Sequence, residues 1–413
     1  MLALYPRHFL DISTRDLILA ASGSGFRSTN AACETVALER DIDPAAIITL
    51  SVRSAWDLML TALDFPAGSE IIMSAVTIPD MKRIAEAHGL VVVPVDLDPA
   101  TMAPCIISFG RAFSGKTQLV ILAHLLGGEY DVTPYAAIAS SHDVPIVEDR
   151  AQAFTGPGDW GSTRTLASLH SFGSIKTCTA LGGAITIVRN AALLATMREI
   201  QSRWAFQEPY TLARKARKYL AVQGFRSPRF YGAVAGIASA TERGLDGFIS
   251  TTVKGFRAGS CDELLRLLRM RPSGEQIALL RKRIETFDSV RLEMRAERGE
   301  LLSRELSLVA EVLGGEQPRR SHWLFAIRVT DPRGLITRLR SAGFDATQAA
   351  STIGALEAPE SHHSCNPVRI RNAMNHAVFL PAYPEMPSHV AARMLNVIFA
   401  FTLLRTSLTS RAA

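Results

Sequence analysis

IVEDRAQAF at residues 146–154, followed by SLHSFGSIKTCTALGGAITIV at 168–188, decides how this chain is read. An apolar run ends at an acid, Asp149. Gln152 stands three residues on, Ser171 lies five before Lys176, and Gly182-Gly183 opens the next apolar run. Together they offer a carboxylate, an amide, a hydroxyl and an amine. Pyridoxal phosphate (PLP) calls for this set: an amine to bond its aldehyde, a carboxylate to hold its pyridine nitrogen protonated, and a hydroxyl to meet its phosphate. A single lysine is usually a solvated side chain. Lys176 instead sits among apolar and small residues with its partners at fixed spacing.

Working outward, apolar strand-like runs recur at 70–76, 90–97, 117–124, 144–148 and 183–188, with helix-like segments at 54–64, 79–88 and 133–142. Continuous apolar strands alternating with helices predict an α/β fold with a mainly parallel sheet covered on both faces. Such sheets bind ligands at the carboxyl ends of their strands, where Asp149 is expected. As a bare residue, Asp149 also suits a helix cap.

Apolar residues at Ile277, Leu280, Ile284 and Phe287 predict one connecting helix from 274 to about 306, capped by Ser273. Beyond 320, a strand (HWLFAIRV), a helix (PRGLITRLRSAGF), a strand (VFLP) and a final helix predict a small α+β domain. The expected division is a large PLP-binding domain over 1–270 and, over 271–413, the connecting helix with the small domain.

The quoted motif resembles the DegT/DnrJ/StrS family of PLP-dependent aminotransferases, whose pattern runs roughly E-D-x-A-Q/H-x-x-G, S-F-x-x-x-K and G-G. GSEIIMSAVTIPD at 68–80, GLVVVPVDLDPATM at 89–102, TQLVILAHLLGGEYDV at 117–132 and LPAYPEMP at 380–387 extend the likeness over residues 25–190 and 270–400. The resemblance implies the aspartate-aminotransferase type fold (fold type I) and a homodimer with sites at the subunit interface. It also implies transfer of an amino group from glutamate or glutamine to a nucleotide-linked keto-sugar. By the same resemblance Lys176 is the cofactor-bonding and proton-moving amine, and Asp149 is the pyridine partner. Gln152 lies against the ring or its phenolate oxygen, and Ser171 meets the phosphate. Arg53 and Ser54, at the start of the first large-domain helix, form a second phosphate element. A helix N-terminus favours an anion there, although Ser54 also suits the helix cap.

Several positions depart from the family pattern. Arg53 replaces a threonine, Leu181 a glutamate, and Ile78 an aromatic residue. Arg269-Met270-Arg271 stands where an N-Y-R phosphate clamp reaches the partner subunit. The substrate loop is replaced by FDATQAASTIGALEAPESHHS at 344–364. These changes open an alternative acceptor, a non-sugar ketone of lipid or natural-product type. A non-catalytic PLP-fold binding or regulatory protein is the reading from another class. Relatives with histidine in place of the lysine perform dehydration, a route that Lys176 disfavours.

An apolar content of 47% and a charged content of 20% fit a globular enzyme. Five scattered cysteines without a C-x-x-C pair indicate neither a disulfide framework nor a zinc site, and His362-His363 reads as loop rather than metal ligand. Cys178 reads as a packed small residue. No signal peptide or apolar span is read, so a cytoplasmic enzyme is expected, with small-molecule substrates and no nucleic acid partner.

The segment 200–260 reads as an insertion. It carries ten basic residues against Glu208, Glu242 and Asp246, a net +7 where the whole chain is +6. Trp204, Phe206, Tyr210, Tyr219, Phe225, Phe230 and Tyr231 are interleaved. Three readings stand: a solvated helical cover over the site or dimer contact, a lid for an anionic substrate, or a peripheral membrane contact. Gly224, Gly232, Gly236 and Gly244 argue against one rigid helix.

Overall fold

The computed structural model describes residues 3–412 apart from 24, 27–29, 209, 240–244, 248–258 and 349–352. In chain order, α1 (Thr14–Ala21) and α2 (Ala31–Ile42) precede β1 (Ala46–Thr49) and α3 (Val52–Leu63). Next come β2 (Glu70–Ser74), a short β3 (Val76–Thr77), α4 (Pro79–Ala87), β4 (Val91–Val95), α5 (Ile106–Arg111) and β5 (Thr117–Ala123). Then follow β6 (Gly128–Glu129), α6 (Thr133–Ser140), β7 (Ile146–Asp149), β8 (Ala167–Ser171) and β9 (Ala184–Val188).

Seven of these strands form one sheet in the order β1-β9-β8-β7-β5-β2-β4. β4, β2, β5, β7 and β8 run parallel, and β9 pairs antiparallel with both β8 and β1. The expected mainly parallel α/β sheet is therefore present. Its strands are buried almost throughout because helices cover both faces. Trp56 on α3 is fully buried on one face, with its indole N–H donating to the Met81 carbonyl at 3.1 Å.

α7 (Ala191–Ser202), α8 (Thr211–Gln223) and α9 (Pro228–Ser239) follow the sheet. The insertion is thus helical but broken: α8 gives way at Gly224 to a short 3-10 turn, and Pro228 opens α9. Its Glu242, Arg243, Gly244, Lys254 and Arg257 lie outside the described residues. Asp246 is described and pairs with Arg7 and Arg340.

α10 (Cys261–Leu268) leads to α11 (Gly274–Glu285) and α12 (Ser289–Leu306). One continuous helix over 274–306 was expected, and the structure has two. Ser273 caps α11 as expected, but Asp288 caps a new start by accepting from the Arg291 N–H at 2.9 Å. The apolar period runs through the break because Phe287, in the connector, packs edge-on against Phe154. α11 buries Ile277, Leu280 and Ile284 with Phe172 and Cys178 of the large-sheet side, whereas α12 buries Leu302 and Leu306 in a separate C-terminal core.

That core is built on β10 (Glu311–Val312), β12 (Phe325–Arg328) and β14 (Ala377–Leu380), paired antiparallel in the order β10-β12-β14. β11 (Arg319–Arg320) pairs instead with β6, and β13 (Gly354–Ala355) with β3. α13 (Pro332–Ser341), α14 (Val368–Asn375) and α15 (Ser388–Ala412) complete the chain. The strand, helix, strand and final helix expected beyond 320 are present, but β13, a 3-10 helix and α14 stand where a loop was expected before the second strand. Among the described residues no helix is long and apolar enough to cross a membrane.

Candidate active site

The carboxyl ends of β5, β7 and β8 open on a cavity of about 1420 Å³. That exceeds the roughly 300–1,000 Å³ of an ordinary small-molecule pocket. Asp149, Gln152, Ser171, Lys176 and Arg53 all line it. Successive side chains of a strand face opposite ways, so Asp149 at the end of β7 points into the cavity and Glu148 turns away.

Lys176 follows β8 in a tight loop. The Lys176 N–H donates to the Gly173 carbonyl at 2.9 Å, and Cys178 two residues on has a left-handed φ of 57°. Cys178 is buried, takes the Asp11 carboxylate on its N–H at 2.7 Å, and has its thiol pushed up to about 12 by burial. It is a packing residue, as expected. The Lys176 amine is 4.0 Å from the centroid of the Trp323 ring. Burial pushes it down to about 8, Asp149 opposes that, and the Arg53 charge adds to it. A lysine so placed is readily neutral and nucleophilic.

Asp149 is bonded to the Ala151 N–H at 2.9 Å. Burial raises its carboxyl above the ordinary value, and the Ala151 N–H and the Lys176 charge pull it back. Gln152 accepts from the Leu126 N–H at 2.9 Å through Oε1, which turns its NH₂ end away from that strand end. Ser171 closes β8 opposite Ala184. Arg53 pairs with Asp80 at 2.5 Å.

Ser54 is the correction. It is fully buried and does not line the cavity. The α3 cap is Ser51, which does line it and whose Oγ accepts from the Ser54 N–H at 3.2 Å. α3 begins two residues before Ser54, which turns Ser54 inward and leaves Ser51, Val52 and Arg53 at the helix mouth.

Sequence reading missed the residues that arrive from far away in the chain. His8 and the Trp323 indole N–H both reach the Ile175 carbonyl, at 3.1 and 2.9 Å, and hold the loop before Lys176. Burial and the Arg295 charge push the His8 ring down to about 4, so it is neutral. His124, just past β5, lines the cavity and bonds Glu148 at 3.0 Å. Glu148 also accepts from the Ser162 N–H at 2.8 Å and from the Thr165 and Ser168 hydroxyls. The E-D pair thus splits into a wall residue and a cavity residue, which strand alternation alone would have indicated.

The departures also take places. Ile78 lines the cavity at the start of α4, and Leu181 is buried beside it. Arg269 makes a two-pronged pair with buried Asp57 at 2.9 and 3.0 Å, and Arg271 donates to the Trp204 carbonyl. Of the replaced loop 344–364, residues 349–352 lie outside the described residues, and Gly354–Ala355 lies along β3 beside Ile78. His362 sits on a short 3-10 helix, 3.4 Å from Glu70. Among the described residues no three histidine, cysteine or acidic side chains gather in a metal-binding group.

Residues 40–218 match the model of the DegT/DnrJ/EryC1/StrS aminotransferase family. Over that segment, less than half of the chain, the sequence is similar to members of that family. Its sequence is 31% identical over 152 residues to the L-glutamine:2-deoxy-scyllo-inosose aminotransferase of Micromonospora echinospora, covering 35% of each protein. The match spans only about a third of that relative. In fold the chain is similar to a DegT DnrJ EryC1 StrS aminotransferase from Brucella abortus, with a TM-score of 0.67 at 16% identity over 94% of this chain and 95% of the other. NtdA from Bacillus subtilis, solved with bound cofactor PMP, gives the same TM-score at 17% identity over 96% of this chain and 85% of the other. These likenesses establish the fold type I architecture.

Proposed function

We propose that the protein is a PLP-dependent aminotransferase that moves an amino group from glutamate or glutamine to a ketone, with a nucleotide-linked keto-sugar as the default acceptor. The observation that carries this reading is the half-buried Lys176, its amine drawn down to about 8 and sharing one cavity with Asp149, Gln152 and Ser171. The donor set fits the cofactor. A carboxylate, an amine and hydroxyls line one cavity, and the N-terminus of α3 opens beside Ser51 to receive an anion.

When bound, PLP supplies an electron sink for the carbon that gains or loses the amino group. The chain supplies the rest. Lys176 would hold the cofactor through its aldehyde, and its amine is placed to hold or move a proton beside the reacting carbon. Its lowered pKa suits that task near neutral pH. Asp149 holds a proton on the pyridine nitrogen. Gln152, fixed through its carbonyl by Leu126, offers its NH₂ end to the ring side. Ser171 and the α3 start, with Ser51 in place of Ser54, hold the phosphate. Trp323 and His8 keep the Lys176 loop in position.

The finer reading is a cytoplasmic homodimer with small-molecule substrates. The five cysteines are all unpaired, in keeping with a reducing compartment. A sizing experiment with light scattering tests the dimer. Arg214, Lys215 and Lys218 of the insertion line the cavity, which favours the lid over the membrane contact for this basic segment. To test the activity, purified holoprotein is mixed with L-glutamate and its visible absorbance followed. The expected result is loss of the PLP band and its return on adding 2-oxoglutarate. No change with glutamate, glutamine or other amino acids would refute the transaminase reading.

A further inference from the structure

α8 lays one side along the cavity: Thr211, Arg214, Lys215, Lys218, Tyr219 and Val222 line it at helical spacing. Arg217 points elsewhere and donates to the Ala21 carbonyl at the back of the helix. Lys215 reaches the double-glycine turn, where a side chain at Gly182 would stand 3.3 Å from the lysine amine. Gly182 has a φ of +158°, so both the backbone there and the space in front of it suit glycine.

Among the described residues, neither Arg214 nor Lys215 has a side-chain hydrogen bond or ion pair with the protein. The carboxylates on the same cavity are engaged elsewhere. Asp80 holds Arg53 and Arg83, Asp246 holds Arg7 and Arg340, Glu263 accepts from the Gly259 N–H, and Asp149 belongs to the Lys176 site. Adjacent cations that face a cavity without a counter-ion repel one another. Burial pushes the Lys215 amine below its ordinary value and the Arg214 charge pushes it further. An anion between them removes that cost. Two cations, with Lys218 one turn on, match a doubly charged phosphate better than a single carboxylate, and a guanidinium binds phosphate two-pronged.

We propose that Arg214 and Lys215 of α8, with Lys218, form an anion subsite for a phosphate or diphosphate group on the acceptor substrate, separate from the cofactor's phosphate seat at Ser51 and Ser171. The proposal rests on the aminotransferase reading for the word acceptor, but the subsite itself does not. It makes the inserted helix the element that selects a phosphorylated ketone, using residues of the same chain.

The test is calorimetric titration of PLP-loaded protein with inorganic pyrophosphate. Wild-type protein is expected to bind it, more weakly as salt is raised. Arg214→Gln/Lys215→Gln is expected to bind at least roughly tenfold more weakly, and Arg214→Lys/Lys215→Arg to stay within about threefold of wild type. Circular dichroism of both variants checks the fold, and the charge-preserving pair keeps the comparison meaningful if the neutral pair is destabilised. The proposal is overturned if wild type binds no pyrophosphate, or if the neutral pair binds it as wild type does. It is equally overturned if the neutral pair loses the preference for PLP over pyridoxal, because the cations would then serve the cofactor. Should wild type take up no PLP at Lys176, the aminotransferase reading fails, and the same titration on cofactor-free protein still decides the subsite.

Discussion

Asp149 and Glu148 are neighbours with opposite duties, and their separation can be measured. Asp149→Asn keeps the size and the Ala151 contact but removes the charge proposed to face the pyridine nitrogen. Turnover is expected to fall by roughly two or more orders of magnitude with the fold intact. Near-normal turnover would reduce the carboxylate to a turn-former. For Glu148, burial acts to raise its carboxyl, but His124, Arg150 and the Ser162 N–H outweigh that and hold it at about 2. A carboxylate lowered from 4.5 in this way contributes stability that is present above pH 4.5 and lost as pH falls toward 2. Glu148→Gln is expected to cost about 2 kcal/mol at neutral pH and to flatten the acid limb of stability across that window. An unchanged acid limb in urea titrations would contradict the assignment.

At the scale of elements, what was legible followed from local pattern. The five apolar runs, four of them parallel and β9 antiparallel, the helices between them, and the Asp149–Gln152–Ser171–Lys176 spacing lie within short stretches whose side chains meet near two adjacent strand ends. β8 escaped notice because ASLHS is short and half polar and is completed by its partners β7 and β9, and β1 because AIIT is only four residues long. The break at Thr286–Asp288 escaped because Phe287 keeps the helical period while packing on Phe154. The α3 start was read two residues late. A cap is identified by the N–H it accepts, and both Ser51 and Ser54 suit the position on sequence. Ser51→Ala removes the acceptor for the Ser54 N–H and is expected to lower stability by about 1 kcal/mol. It should also weaken PLP uptake, whereas Ser54→Ala should leave uptake unchanged. Equal cofactor affinities for wild type and Ser51→Ala would take Ser51 out of the phosphate seat.

Across the whole molecule, the site is closed by segments that no local pattern brings together. The N-terminal arm is stitched to the C-terminal core and the insertion. Leu4 and Tyr5 N–H groups donate to the Pro228 and Gly343 carbonyls, and Arg7 forms a two-pronged bond to buried Asp345 at 2.7 Å. Tyr231 donates to the same carboxylate at 2.5 Å. Arg7→Met leaves Asp345 short of its closest cation, and breaking such a pair costs about 3–5 kcal/mol. Thermal unfolding should show that loss, and limited proteolysis should cut first within the arm. Wild-type protection of the arm would mean that Arg340 alone satisfies Asp345. The same arm carries His8 to the Lys176 loop, so the variant should also take up PLP less tightly.

The central claim is that Lys176 is the amine that holds the cofactor. PLP-loaded protein is reduced with borohydride, digested, and mapped by mass spectrometry, with Lys176→Ala treated in parallel. The account predicts one pyridoxyl-modified peptide, carrying the label on Lys176, and no label in the variant. A label on another lysine, or none on wild type after PLP loading, would contradict it.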